Sequence, residues 1–252
     1  MLLQFEKLSA FQNLTHAVTR AHFKEMENFN LADHVGSGSL HAIENRKILA
    51  THLKLPFTRM TAAQQVHGNT VTIINESLTG KGHDGWKSAI PATDAMITNL
   101  KNTPLMVFSA DCPLILVYDK KIEAIGLIHA SWRSTFSEII TRTIKAMSDN
   151  FKCKPENIIA GIGPGAGPCC YEIDEKFVQT IRTKPELSDF VINRNSKLFF
   201  DLWSATKSEL IRSGISSENI ESMSRCTICD KNFFSFRRQK DLAGRFSLIA
   251  SL

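Results

Sequence analysis

The chain has 252 residues, of which 43% are apolar and 22% charged; this is ordinary globular composition and argues against intrinsic disorder. A formal charge of +5 suits anionic small molecules but is too modest for a nucleic-acid surface, and six cysteines in so long a chain do not make a disulfide framework. The opening MLLQFEKLSAFQNL has no basic segment leading into a sustained apolar one, and no run approaches the roughly 18 apolar residues of a spanning helix. A reducing cytoplasm is therefore expected, with no membrane or nucleic-acid partner.

Leu14–Thr19 alternates as a short strand, and the polar, glycine-bearing Asn30–Ser39 reads as a loop of the kind that contacts ligands. Ile43, Leu49, Ala50 and Leu53 predict a helix from about His41 to Leu53, ended by Pro56. Asn45 and Arg46 lie in its first turns, on what reads as a solvated face. Gln65-Val66-His67-Gly68 precedes a β-branched strand at Thr70–Ile74, and the glycine beside the histidine marks tight backbone geometry. Residues 75–92 form a loop long enough to suggest function or mobility, and Thr93-Asp94-Ala95 opens the central section.

Two apolar runs in that section stop abruptly at capable side chains. Leu105–Phe108 ends in Ser109-Ala110-Asp111-Cys112-Pro113, and Ala124–Ile128 ends in His129-Ala130-Ser131-Trp132-Arg133. Leu114–Tyr118 and Ile122–Ile128 flank Asp119-Lys120-Lys121 as an antiparallel hairpin. Phe136, Ile139, Ile140, Ile144 and Met147 then predict an amphipathic helix, with Ser134 or Thr135 as its N-cap. Arg133 is thereby placed at a helix N-terminus, a setting that favours phosphate or carboxylate.

Residues 158–174 form a strand and a Gly/Pro-rich turn. Pro164, Pro168 and Ala166 exclude a dinucleotide fingerprint, and a P-loop ending is missing. Asp174 and Asp201 predict helix caps, and Phe233–Arg238 and Arg245–Ile249 predict two closing strands. Cys226 and Cys229 make one Cys-x-x-Cys pair; a structural zinc site usually takes two such pairs and no second exists, so both are expected to be buried thiols. With no linker or repeat, a single domain over 1–252 is the economical organisation.

His67, Cys112 and His129 are the strong ligand types at the ends of apolar segments. Their separations, the last being 17 residues, suit a site assembled by tertiary structure rather than a zinc finger. One thiolate and two imidazoles suit Zn²⁺ and leave a fourth position open, although a lone histidine is more often a satisfied polar group than a ligand.

The chain resembles the YfiH-like family, laccase-domain proteins described as purine nucleoside phosphorylases with adenosine deaminase activity. The resemblance rests on HVG and ENR within residues 34–46, QVHG at 65–68, TDA at 93–95, ADC at 110–112 and HASWR at 129–133. It continues through GIGPGAGPCCYEID, DLWSA, CTICDKNFFSFRR and Gly244-Arg245. It implies a mixed α/β (α+β) domain with mixed β-sheets flanked by helices, the YfiH-like or cytotoxic-necrotizing-factor-like fold. It also implies zinc at His67, Cys112 and His129. The chain departs from the family in having Ser131 and Ser134 for glycines and Phe236 for tyrosine. Serine enters positive φ less freely than glycine, so the loop after His129 is expected to be reshaped.

The expected activity is phosphorolysis of adenosine- or inosine-type nucleosides to free base and ribose 1-phosphate, with adenosine deamination as a companion activity. Arg133 with Asn45 and Arg46 are the candidates for phosphate. Asp94 and Asp111 are the candidates for proton handling or for orienting a ligand histidine. The competing readings are a cysteine hydrolase with Cys112 as nucleophile and His129 as base, a copper polyphenol oxidase, and a binding protein without turnover. The expected partners are a purine nucleoside and phosphate, and the expected assembly is a monomer or homodimer.

Overall fold

The computed structural model describes residues 2–252. The first half supplies strands β1 (Thr15–Val18), β2 (Thr61–Ala62), β3 (Val71–Ile73), β4 (Ala95–Thr98), β5 (Leu105–Ser109), β6 (Leu114–Asp119) and β7 (Ala124–His129). The second supplies β8 (Ile158–Ile162), β9 (Glu172–Ile173), β10 (Val191–Arg194), β11 (Lys197–Phe200), β12 (Ile220–Ser222) and β13 (Phe246–Ser251). The helices are α1 (Glu6–Ser9), α2 (Ala42–Leu53), α3 (Trp132–Phe136), α4 (Ile139–Phe151), α5 (Glu175–Ile181), α6 (Pro185–Ser188), α7 (Leu202–Arg212) and α8 (Phe236–Gln239).

The continuously apolar runs β5, β6 and β7 are buried at every residue, because both faces of their sheets are covered. Side chains still alternate along each strand. From β6, Leu114, Leu116 and Tyr118 face Leu105, Val107 and Leu248 of a second sheet. Ile115 and Val117 face the opposite way, onto Ile140, Ile144 and Met147 of α4 and Leu210 of α7. The outer face of the second sheet, with Ala17, Met106, Phe108 and Ile249, packs on Leu49 and Ala50 of α2.

The result is helix, four-stranded sheet (β1-β13-β5-β2), six-stranded sheet (β12-β8-β6-β7-β4-β3) and helix, stacked in that order. A small sheet, β10-β11-β9, stands beside them with its own core. Both large sheets mix parallel and antiparallel pairs, the mixed α/β architecture expected.

The hairpin forms as predicted, with Leu114 opposite His129 and Asp119 opposite Ala124. Asp119 Oδ1 accepts from the amides of Lys121 and Ile122, so the turn extends to residue 123 and β7 starts later than the pattern suggested. The strand expected at Leu14–Thr19 is present as β1, though it is buried on both faces rather than alternating, and the helix ended near Pro56 and the caps at Asp174 and Asp201 are present.

Three expectations are corrected. The segment predicted as a strand at Phe233–Arg238 is a loop that runs into α8: Ser235 Oγ caps the Arg238 amide and Asp111 takes the Arg237 amide, so these donors are not free for a ladder. The helix predicted from Phe136 is broken: Glu138 takes φ 62°, which separates α3 from α4, and the N-cap of α3 is Ser131 rather than Ser134 or Thr135. Ser131 Oγ accepts the Ser134 amide at 3.0 Å and shares a 2.7 Å hydrogen bond with Ser134 Oγ. With φ −67° at Ser131 and Ser134 inside a helix, neither position requires glycine, so the two serines build a cap instead of distorting the loop. The expected buried pair is corrected too: Cys226 is buried but Cys229 is exposed.

No helix among the described residues is long and apolar enough to cross a membrane.

Candidate active site

β5 and β7 lie in different sheets, yet both end toward the same cavity of about 420 Å³. Beyond their last paired residues the chain carries Cys112 and delivers His129, and the loop before β3 brings His67. The thiol and one nitrogen from each imidazole lie within 4.8 Å of one another. The imidazole rings stand 4.9 Å apart, nearly perpendicular at 76°. The residues singled out by chemical type are thus brought together by the fold.

Asp94 holds this arrangement from behind. It is buried, and its carboxylate accepts the amides of Val66 (3.1 Å), His67 (3.0 Å) and Gly68 (2.7 Å) and contacts His129 Nδ1 at 2.9 Å. Four donors on one carboxylate hold the histidine of one loop and the histidine of another strand in register. The tight backbone lies at His67 itself, φ 61°, not at the following glycine. A side chain in that region is strained, and the three amide bonds to Asp94 hold it there. Asp94 is not among the residues that line the cavity; its contacts are to the His67 loop and to His129.

The electrostatics of the pair match this geometry. Burial raises the Cys112 thiol, but the charge and hydrogen bond of His129, joined by His67, outweigh it and bring the thiol down to about 6. Burial lowers His129, but the Cys112 thiolate and Asp94 lift it to about 9. Each of the two groups thus favours the charged form of the other.

Asp111 is also strained, at φ 109°. Its Oδ1 accepts from Thr227 Oγ1 and its Oδ2 from the Arg237 amide, each at 2.7 Å, and its carbonyl accepts from the Ala166 amide. These contacts aim the chain into the cavity just before Cys112.

Two expected anion contacts are placed elsewhere. Asn45 and Arg46 are buried and do not line the cavity. Asn45 donates to the Asn30 carbonyl. The Arg46 guanidinium donates to Leu31 O (2.7 Å), Gly82 O (2.8 Å) and Asp33 Oδ1 (3.2 Å). They stitch the 30–33 and 82–86 loops to α2, which the apparently polar face of that helix concealed. Asp33 in turn accepts the Trp86 amide, and these loops present His34 and Trp86, their ring centroids 3.8 Å apart and tilted by 30°, to the cavity.

Arg133 does line the cavity, and it lies in the first turn of the short α3 after the Ser131 cap; the amides starting α4 are taken by Glu209. Arg133 meets two arginines that the sequence reading did not single out, Arg237 and Arg245. Both lie in quoted motifs, FFSFRR and Gly244-Arg245, but their strand-like pattern hid them. Arg245 is held by its links to Ala243 O and Gly244 O, and burial lowers its guanidinium against the pull of Cys112 and Asp111. Phe108, Trp132, Tyr171 and Phe236 supply aromatic walls. Burial, with the nearby Cys112 thiolate, raises the Tyr171 phenol, so it stays a donor.

The donor set fits a borderline-soft cation. It has one thiol and two imidazoles, one imidazole fixed through Asp94, and the cavity on the open side. A multi-copper centre would gather several histidine clusters, and among the described residues only this ligand group contains histidine.

The sequence profile of a family described as multi-copper polyphenol oxidoreductase laccase matches residues 10–252. The purine nucleoside phosphorylase YlmD of Geobacillus stearothermophilus is 31% identical over 222 residues, 86% of this chain and 81% of that protein. The adenosine deaminase RL5, from an unknown prokaryotic organism, is 28% identical over 220 residues, 86% of this chain and 84% of that protein. Among solved structures, the hypothetical protein YfiH of Bacillus licheniformis superimposes with a TM-score of 0.92 at 27% identity, covering 100% of this chain and 96% of that one.

Proposed function

The chain belongs to the multi-copper polyphenol oxidoreductase laccase family, and on that premise we propose that it is a zinc-dependent purine nucleoside phosphorylase. It would convert adenosine- or inosine-type nucleosides and phosphate to the free base and ribose 1-phosphate. The observation that carries the reading is the meeting of the His67–Cys112–His129 donor set with a cavity that offers three arginines and several aromatic rings.

His67, Cys112 and His129 would hold the metal, which when bound supplies Lewis acidity toward a substrate oxygen or nitrogen. Asp94 keeps His129 and the His67 loop oriented. In phosphorolysis, phosphate attacks C1′ of the ribose as the purine departs, so two opposite needs must be met in one cavity. The dianion requires cations, which Arg133, Arg237 and Arg245 supply. The flat base requires stacking surfaces, which Trp86, Trp132 and Phe236 supply. Tyr171 offers an O–H donor to the leaving base, and Asp111 lines the same cavity as the arginines and offsets their charge.

Purified protein incubated with adenosine or inosine and phosphate should release base and ribose 1-phosphate only when phosphate is present. Conversion of adenosine to inosine in the same chromatogram reports the deaminase activity carried by the name of one relative. Zinc-loaded protein that yields neither product sinks the proposal.

A second reading has its own observation. Cys112, His129 and Asp94 are aligned as a thiolate, an imidazolium and an orienting carboxylate, the arrangement of a cysteine hydrolase. The metal discriminates: a Cys112 committed to zinc is not free to attack. Zinc bound to the wild type and lost in Cys112→Ala decides against the hydrolase.

A further inference from the structure

Cys169 and Cys170 sit in the Gly/Pro-rich turn after β8, and Cys226 and Cys229 in the loop after β12. The parallel pairing of β8 and β12 brings these two loops side by side. Gly165 continues it by bonding Arg225 O and the Thr227 amide. All four sulfurs fall within 4.8 Å of one another. Cys229 Sγ lies 3.0 Å from Cys170 Sγ and 3.5 Å from Cys169 Sγ.

We propose that these four cysteines form a second metal site, a closed tetrathiolate centre for zinc that braces one wall of the cavity. Four sulfurs at about 2.3 Å from a tetrahedral zinc stand about 3.8 Å from each other, and the cluster is gathered at that scale. The Cys-x-x-Cys knuckle has a partner after all: an adjacent Cys-Cys pair that arrives through tertiary structure.

Disulfides satisfy the arrangement less well. Cys229 approaches Cys169 and Cys170 together, and a single bond can take only one of them, whereas one cation can take both and Cys226 as well. The Gly167 amide donates to Cys226 Sγ at 3.3 Å, a contact that favours a thiolate. Gly167 is required for that approach, since a Cβ there would fall 2.6 Å from the Trp203 ring and 3.0 Å from Cys226 Cβ. Four protein ligands leave no open position, so the site is structural rather than catalytic.

Its place in the fold explains its use. Tyr171 follows Cys170 directly and lines the cavity. Thr227 follows Cys226, its hydroxyl holds Asp111, and the Thr227 and Ile228 carbonyls accept from Arg238. Both loops are poor in hydrogen-bonded regular structure, so a cross-link between them would fix Tyr171 and Asp111 with little help from a core.

The test is metal content of the purified full-length chain and of two variants. The wild type should carry about two zinc ions, and His67→Ala and the double variant Cys226→Ser/Cys229→Ser about one each. Cobalt loaded into His67→Ala should show the intense sulfur-to-metal charge-transfer absorption of a tetrathiolate, a measurement that stands even if the double variant fails to fold. The inference is overturned if His67→Ala binds neither zinc nor cobalt, or if intact mass shows these sulfurs joined as disulfides in protein isolated without oxidant. Neither result depends on the nucleoside activity.

Discussion

The His67–Cys112–His129 cluster and the four-cysteine cluster are both gatherings of soft donors, but they are held by different means. In the first, Cys112 and His129 come where the buried strands β5 and β7 end, His67 comes from the loop before β3, and one carboxylate, Asp94, grips that loop and His129 together. In the second, donors sit on two loops joined by a few backbone bonds and a sulfur-directed amide. Rigid strand ends can hold three ligands in place and leave one side open for substrate. Loops without such support are better suited to a closed site in which the ion organises the protein. The contrast separates chemistry from bracing within one cavity.

Removing a donor from each cluster should break this comparison most sharply. Cys112→Ala should lower kcat/KM for phosphorolysis about 10³-fold, consistent with the several kcal/mol a bound metal supplies. Cys229→Ser should leave most of the turnover while lowering the melting temperature. Equal losses of activity in steady-state assays would erase the distinction.

Glu209 belongs to neither cluster and gives a baseline. Burial raises its carboxyl to about 7, against the Ile140 and Thr141 amides that it caps. The folded state therefore keeps a proton that the unfolded state releases above about 4.5, so stability is full below that pH and falls as pH rises through 7. Glu209→Gln should match the wild type in acid and exceed it by about 3 kcal/mol at pH 8. Denaturant midpoints compared pairwise at each pH check this, and cancel whatever the two clusters contribute.

Asp94→Asn should weaken zinc at the first cluster about 10–100-fold in chelator competition and leave the tetrathiolate cobalt spectrum unchanged. A loss at both sites would show that the clusters are not independent. The smallest expected effect concerns the cavity between them: Arg245→Ala should raise the KM for phosphate about tenfold with kcat little changed, the signature of lost binding shared by ground and transition states.

The sequence reading reached Cys112 and His129 because each comes where an apolar strand ends, and His67 because it immediately precedes one. It misjudged Arg46, whose polar surroundings on α2 look like a solvated face until the 30–33 and 82–86 loops close over it. It passed over Arg237, Arg245 and Tyr171, which become cavity residues only when α8, the start of β13 and the turn after β8 converge. It also counted cysteine pairs along the chain, whereas Cys170 and Cys229 meet across 59 residues.

By itself the sequence determined the buried strands β5 to β7, their hairpin, the amphipathic helix that became α4, and the types of group that end the strands. Those features follow from side-chain periodicity and from chemistry carried by single residues. Only the tertiary structure decided which loops meet, which cations face the cavity and which are consumed as struts, and that two pairs of thiols form one cluster. Periodicity reports which face of an element is apolar; it carries no record of the neighbour that face will find.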